Sequence, residues 1–137
     1  MRRAWMVIAL VLLPQVANAY AVVPKTGSFG KHLSQLRKAA VKHRMKSFAR
    51  LTMSDFTVGE ELDRASSLDV IRSEPKRWSE LVRLIDHGRC YSTGRGLVQC
   101  ELPDPGPLLD HTKFHGSSLL AIFEHTRRGW RLGLFSA

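Results

Sequence analysis

The amino-acid sequence predicts an α+β domain in which helices pack on one curved antiparallel sheet. Residues 31–51 contain no proline or glycine, and their apolar side chains fall on one half of a helical wheel. Shorter helical patterns follow, and two hairpin patterns come later in the chain. The only two cysteines, Cys90 and Cys100, flank the turn of the first hairpin. Helices that precede a run of strands are typical of the α+β class.

Residues 1–19 have the three parts of a secretory signal peptide. Arg2 and Arg3 precede an apolar run over 4–13, and small residues at 17 and 19 mark a cleavage site after Ala19. Cleavage after Ala21 is the alternative. The apolar run is shorter than a membrane-spanning helix, which needs about 20 apolar residues. We therefore predict an exported protein, periplasmic or secreted, with no transmembrane segment after cleavage.

The predicted organisation is a signal peptide (1–19), an extended lead (20–30) and a single α+β domain (31–137). The lead contains Pro24, Gly27 and Gly30, which disfavour regular structure. Removal of the signal lowers the formal net charge from +9 to +7, because the signal contains two arginines and no acids. The basic excess is concentrated in residues 20–50, which contain eight Lys or Arg and no Asp or Glu.

The 31–51 segment is predicted to form one helix of about five turns. Arg37 and Arg44 interrupt its apolar half. One interpretation, which we favour, is that both side chains extend past the helix edge to solvent, because an unpaired buried guanidinium is very costly. The other is that they line a pocket for an anionic group.

The middle of the chain predicts short elements. Residues 52–55 indicate a break or turn, and residues 56–58 a brief strand that ends before Gly59. The acidic stretch over 60–64 is predicted to cap a short helix that runs through Ala65, Leu68, Val70 and Ile71. Pro75 opens a clearer helix, since proline is favoured at the first helical position, and Gly88 ends it.

The cysteines predict a disulfide, because an exported chain meets an oxidising compartment. A three-residue turn at Gly94-Arg95-Gly96, with Gly96 in the left-handed conformation, would place Cys90 opposite Cys100. A free thiol pair with a metal or redox role is less favoured, since there is no CxxC spacing and no third ligand nearby.

A second hairpin is predicted over 117–137, with its turn at Arg127-Arg128-Gly129. In this register Ile122 faces Leu134 and Ala121 faces Phe135. Phe123 would lie opposite Gly133, so that an aromatic ring covers a glycine.

Two stretches resemble the nuclear transport factor 2-like superfamily: residues 48–58 and the 120–135 hairpin. The hairpin consists of an aliphatic strand, a charged turn and then Gly-Trp-Arg-Leu. Together the two stretches cover about a quarter of the mature chain. The resemblance implies a long helix under a curved sheet, with a pocket between them. Arg37, Arg44 and Trp130 are then the candidate pocket residues. Some members are isomerases or dehydratases and many have no catalytic role, and no catalytic residue of the family maps onto this chain.

The strongest candidate for a reactive site in the sequence contains Asp110, His111 and His115. The two histidines have the i, i+4 spacing of metal ligands. Lys113 lies between them, and such a set also suits acid–base cleavage of RNA. The favoured interpretation is a polar loop, since Gly116 and the prolines at 103, 105 and 107 oppose a helix and no third ligand is evident. We predict no metal and no cofactor.

The predicted function is therefore a non-catalytic binding or accessory module outside the cytoplasm. Its basic segment suits an acidic protein or an anionic envelope component, and nucleic acid is disfavoured because no aromatic residues interleave the exposed lysines. A small enzyme of the nuclear transport factor 2-like kind is one alternative. An inhibitor or immunity-type protein that docks its partner through the 103–107 loop is another.

Overall fold

The structure is a computed structural model that describes residues 21–59, 62–103 and 117–137. The predicted signal peptide, Glu60, most of the 103–107 loop and the stretch with Asp110, His111 and His115 lie outside these ranges. The elements in chain order are α1 (Gly27–Val41), α2 (Met45–Arg50), β1 (Thr52–Thr57), α3 (Arg64–Ser73), α4 (Pro75–His87), β2 (Arg89–Gly94), β3 (Leu97–Pro103), β4 (Ser117–Thr126) and β5 (Gly129–Ser136).

The five strands of the described ranges form one sheet in the order β1-β5-β4-β3-β2. Strands β2 to β5 are antiparallel neighbours, and β1 joins the outer edge of β5 in parallel. The α+β class is confirmed, and the sheet is mixed because of this one parallel pair. Residues 52–55, predicted as a turn, belong to β1. That prediction is wrong because strand formation there is driven by pairing with β5, which lies far away in sequence.

The helix predicted over 31–51 is two helices, because the chain turns sharply at His43. His43 has a φ of 52°, in the left-handed region. Its N–H donates to the Ala40 carbonyl at 3.2 Å, and the Arg44 N–H donates to the Ala39 carbonyl at 2.9 Å. These two bonds form a Schellman motif, which ends a helix. The His43 ring stacks on Trp78 at a centroid distance of 5.4 Å, and this contact offsets part of the cost of the left-handed backbone.

The lead is shorter than predicted, because α1 begins at Gly27 rather than at Lys31. Gly30 lies inside the helix, where a Cβ would overlap the Lys25 carbonyl oxygen, so close passage of the backbone requires a glycine there. The extended part is limited to the residues before the helix. Val22 forms a bridge with Tyr91 and so covers part of the free edge of β2.

The helices cover one face of the sheet, which we call the inner face. α1 lies against α4 and β5, α4 against β3 and β4, and α3 against β1. The core between them is apolar and includes an aromatic cluster in which the Phe48 ring is 5.2 Å from Trp78 and 5.8 Å from Phe56. Sheet residues of the inner face are fully buried: Phe56, Val98, Cys100, Leu119, Ala121, Phe123, Leu132 and Phe135.

The helix predictions for the middle of the chain are confirmed. α3 begins at Arg64, one residue after Asp63, whose side chain accepts a hydrogen bond from the Ser66 N–H at 2.8 Å. α4 begins at Pro75 and ends before Gly88, as predicted from those two residues.

Both hairpins form with the predicted central pairs. Cys90 lies opposite Cys100 and is bonded to it. The turn contains two residues, Arg95 and Gly96, rather than three, and both have positive φ (53° and 75°), as in the tight turns that suit hairpin twist.

In the second hairpin, Ile122 faces Leu134 and Ala121 faces Phe135. The predicted pairing of Phe123 with Gly133 is wrong: Phe123 faces Leu132, because a bulge shifts the register between Ile122 and Phe123.

The backbone at His43 gives a first test. We expect His43→Val to lower the free energy of unfolding by about 2 kcal/mol more than His43→Gly, because a β-branched residue is strained in the left-handed region and glycine is not. Both variants lose the stacking on Trp78, so the difference isolates the backbone. Urea unfolding measures it, and equal losses would contradict the proposed helix ending.

The disulfide gives a second test. Replacing both cysteines by alanine removes a cross-link that closes a short loop, and we expect a loss of about 3 kcal/mol in the chain-entropy model. Urea unfolding of the oxidised protein and of the double variant measures this loss. Reduction of the unsubstituted protein should reproduce most of it, and a loss below about 1 kcal/mol would show that the bridge contributes little.

Candidate functional site

Three neighbouring hollows lie on one side of the molecule and share lining residues. The α1–α2 hollow has a volume of ≈ 330 Å³, the arginine groove ≈ 600 Å³ and the His32 hollow ≈ 170 Å³. Arg50 lines both the α1–α2 hollow and the arginine groove, and Gln35 lines both the α1–α2 hollow and the His32 hollow. Arg128 and Arg131 line both the arginine groove and the His32 hollow. We call the cationic residues of these hollows the basic face: Lys31, Lys38, Arg44, Arg50, Arg64, Arg128 and Arg131.

The basic face is assembled from distant parts of the chain. α1 contributes Lys31 and Lys38, and the segment after its end contributes Arg44 and Arg50. The remaining three come from the start of α3 and from the β4–β5 hairpin. Since β1 pairs in parallel with β5, the start of β1 and the end of α2 lie beside that hairpin. Each of the three hollows therefore adjoins the other two.

Arg64 is held firmly at the wall of the arginine groove. Its Nε donates to the Met53 carbonyl at 3.0 Å, and its Nη2 donates to the Ala49 carbonyl at 2.9 Å and to Thr52 Oγ1 at 3.1 Å. These acceptors carry no net charge, so the guanidinium is fixed in position but not neutralised. A fixed guanidinium fork suits carboxylate or phosphate oxygens.

Acidic residues do not line any of the three hollows within the described ranges. The ion pairs of the described residues join Arg37 to Asp86, Arg72 to Asp69 and Arg77 to Glu74, and none of these pairs involves the basic face. Seven like charges that share connected concave surfaces give a positive local potential, which concentrates anions there.

His32 is the exceptional residue of the site. It lies on α1 in edge-to-face contact with Phe123, at a ring distance of 5.6 Å, and only 5% of its surface is exposed. Its Nε2 is buried and has no hydrogen-bond partner. Burial, and then the charge of Arg131, lower the pKa of His32 to about 4, so the imidazole is neutral at neutral pH.

Trp130, a candidate pocket residue from the sequence, lines the His32 hollow. Its indole ring contacts Phe29 at 5.0 Å and His125 at 4.9 Å, and its Nε1 donates to Ser28 Oγ at 3.3 Å. The ring is half-buried and provides an aromatic wall beside the cationic residues.

Arg37 and Arg44, the other two candidates, are both exposed. Arg37 forms a bidentate pair with Asp86, with Nε–Oδ1 and Nη2–Oδ2 distances of 2.7 and 2.9 Å, and lines none of the three hollows. The hydrogen bonds from Arg37 lower the pKa of Asp86. Arg44 lines the α1–α2 hollow. The structure therefore places one of these arginines in a structural ion pair and the other on the basic face.

The stretch with Asp110, His111 and His115 lies outside the described residues. Within the residues that are described, no cluster of three or more His, Cys, Asp or Glu side chains is arranged to hold a metal ion. In the same ranges, no helix combines the length and apolar character that crossing a membrane requires.

Several residues of the site were not identified from the sequence, notably His32, Gln35, Arg64, Arg128 and Arg131. One signal for His32 was available: it lies three residues after Phe29 and four before Leu36, on the apolar side of the helix. A histidine at such a position is buried when the helix packs. No local pattern connects Arg64 or Arg131 with α1.

No protein-family model matches the chain, and no curated protein matches it. Among solved structures, it is similar to a candidate dehydratase of the NTF2-like family from Streptomyces avermitilis, with 15% sequence identity and a TM-score of 0.41. The match covers 80% of this chain and 91% of that chain. The superfamily named for that structure is the one that residues 48–58 and 120–135 resemble in sequence.

The pKa of His32 predicts a pH dependence of stability. The unfolded chain protonates this imidazole near pH 6.5, whereas the folded protein does so only near pH 4. Between these values the unfolded state binds the extra proton, so the free energy of unfolding falls as the pH is lowered, by up to about 3 kcal/mol. Above this window His32 makes no pH-dependent contribution.

In the His32→Phe variant, the free energy of unfolding should not show this decrease at low pH, because phenylalanine does not titrate. Urea unfolding between about pH 7.5 and about pH 4.5 measures the slope for the two proteins. His87→Phe, at an exposed histidine, is the matched control and should keep the slope of the unsubstituted protein. Identical slopes in all three proteins would contradict the buried, neutral state of His32.

Proposed function

We propose that this protein is an exported, non-catalytic binding module whose basic face binds an acidic segment of a partner protein. The observation that carries the proposal is the connected set of three hollows lined by seven Lys and Arg side chains, without a lining carboxylate among the described residues. Gathering like charges on one side costs Coulomb energy, and an anionic partner would reverse that cost.

The chemistry of the face favours carboxylates over other anions. Five of the seven cationic residues are arginines, whose planar forks match carboxylate geometry. As far as the described residues go, the lining of the two larger hollows contains no aromatic side chain for stacking on bases or sugars. Nor does any exposed large apolar residue of the described ranges line these two hollows, where it could insert into a membrane.

A non-catalytic role is supported by the titratable groups of the face. Among the described residues, His32 is the only titratable group apart from Lys and Arg that lines the three hollows. With its pKa lowered to about 4 by burial, this imidazole is a weak base at neutral pH, whereas general bases work best with a pKa near the working pH. Export is supported by the predicted signal peptide and by the disulfide, which persists in oxidising compartments.

The proposal predicts salt-dependent binding of a short fluorescent oligoglutamate peptide, measured by anisotropy. Arg44→Gln/Arg50→Gln removes two charges from the α1–α2 hollow and the arginine groove, and should weaken binding roughly 5-fold at low salt. Raising the salt concentration should reduce the difference, because exposed charges are screened.

Arg83→Gln/Arg89→Gln is the matched control, since both residues are exposed and line none of the three hollows. Equal weakening by the two double variants would mean that only net charge matters, and would contradict a specific face. Tighter binding to heparin or to vesicles of anionic lipid than to oligoglutamate would assign the face to another class of partner.

A further inference from the structure

The His32 hollow differs from the other two hollows in size and lining. It is the smallest of the three, at ≈ 170 Å³, and combines hydrogen-bond donors with an aromatic wall. Its residues come from the first turns of α1 and from the β4–β5 hairpin: Ser28, Lys31, His32, Gln35, Arg128, Gly129, Trp130 and Arg131. A volume of this order accommodates a small organic molecule rather than a segment of polypeptide.

His32, one of the residues that line the hollow, has an unsatisfied polar atom. His32 Nε2 is the one buried side-chain nitrogen or oxygen of the described residues that lacks a hydrogen-bond partner. Leaving such an atom unpaired costs about 1–3 kcal/mol of stability. An apolar side chain of similar shape would avoid this cost, since the ring packs edge-on against Phe123. The polar atom is therefore best explained by a ligand that it contacts.

The electrostatic environment identifies the charge of that ligand. Lys31 on α1, Arg128 in the turn and Arg131 on β5 line the hollow with His32, and β4 places the apolar Phe123 ring against the imidazole. After burial, the charge of Arg131 is the second cause of the low pKa of His32. A cationic group would be repelled here, and an anion would be attracted.

We propose that the His32 hollow binds a small organic oxyanion, a carboxylate or a phosphate monoester, with Arg128 and Arg131 on its oxygens and His32 Nε2–H as a neutral donor. Trp130 contacts the organic part of the ligand. The site shares the basic face with the proposed function, but it requires neither a protein partner nor the larger hollows. It lies between the first turns of α1 and the β4–β5 hairpin, and of the three pocket residues predicted from the sequence only Trp130 lines it.

The test is NMR titration of the purified protein with benzoate, phenyl phosphate and the uncharged benzyl alcohol, with His32 and Trp130 side-chain resonances as probes. Both anions should shift these two residues with saturation, and benzyl alcohol should not. Bound anion should also raise the pKa of His32, because a negative charge favours the imidazolium. Tighter binding of benzoate or of phenyl phosphate assigns the carboxylate or the phosphate as the natural group.

Two variants separate binding from packing. Arg131→Gln should weaken anion binding about tenfold, the effect of one charge-assisted hydrogen bond. His32→Phe should weaken it several-fold while raising the urea midpoint, since it removes the unpaired nitrogen and keeps an aromatic ring. A purely structural role for His32 would not give higher stability together with weaker binding.

The outcomes distinguish this inference from the proposed function. Arg44→Gln/Arg50→Gln should leave benzoate and phenyl phosphate binding unchanged, because neither residue lines the His32 hollow. Absence of saturable shifts with either anion, or equal affinity of the unsubstituted protein and both variants, would overturn the oxyanion site. Failure of the oxyanion site would not contradict oligoglutamate binding by the basic face. Conversely, a protein that does not bind oligoglutamate can still bind benzoate or phenyl phosphate in the His32 hollow.

Discussion

The packing of α1 on the inner face of the sheet is the contact on which the rest of the molecule depends. Phe29 contacts Phe123 and Trp130 edge-on at 5.4 and 5.0 Å, and this fixes the first turns of the helix beside the β4–β5 hairpin. His32, less than one turn further along, is then necessarily buried against Phe123, while Lys31 remains at the surface. One hydrophobic contact thus sets both the unpaired imidazole and the cations around it.

A second constraint is the sharp end of α1 at His43. After this helix end the chain forms α2 and then β1, which pairs with β5. The left-handed residue and its stacking on Trp78 redirect the chain, and Phe48 then enters the aromatic cluster of the core. The same redirection places Arg50 between two hollows. The backbone turn therefore serves the core and the basic face together.

The proposed binding role explains the basic face better than a contribution to stability does. Among the described residues, Arg37 is paired with the Asp86 carboxylate, and two cations of the face, Arg64 and Arg131, donate to backbone carbonyls. Most cations of the face have no such partner, and His32 adds a buried nitrogen without a hydrogen bond. Local violations of polar satisfaction tend to occur at functional sites, where a ligand provides what the chain does not.

The sequence by itself determined the α+β class, the disulfide, the bounds of α4 and the central pairs of both hairpins. Each of these depends on residues within one element or across one turn, such as Pro75, Gly88 or the cysteines on either side of Arg95-Gly96. Tertiary structure decided the helix end at His43, the bulge before Phe123, the parallel pairing of β1 and the composition of the basic face. These depend on contacts between residues far apart in the chain, and spacing within a segment carries no information about them. Arg131 and His32 meet only because the sheet and α1 bury their apolar surfaces against each other.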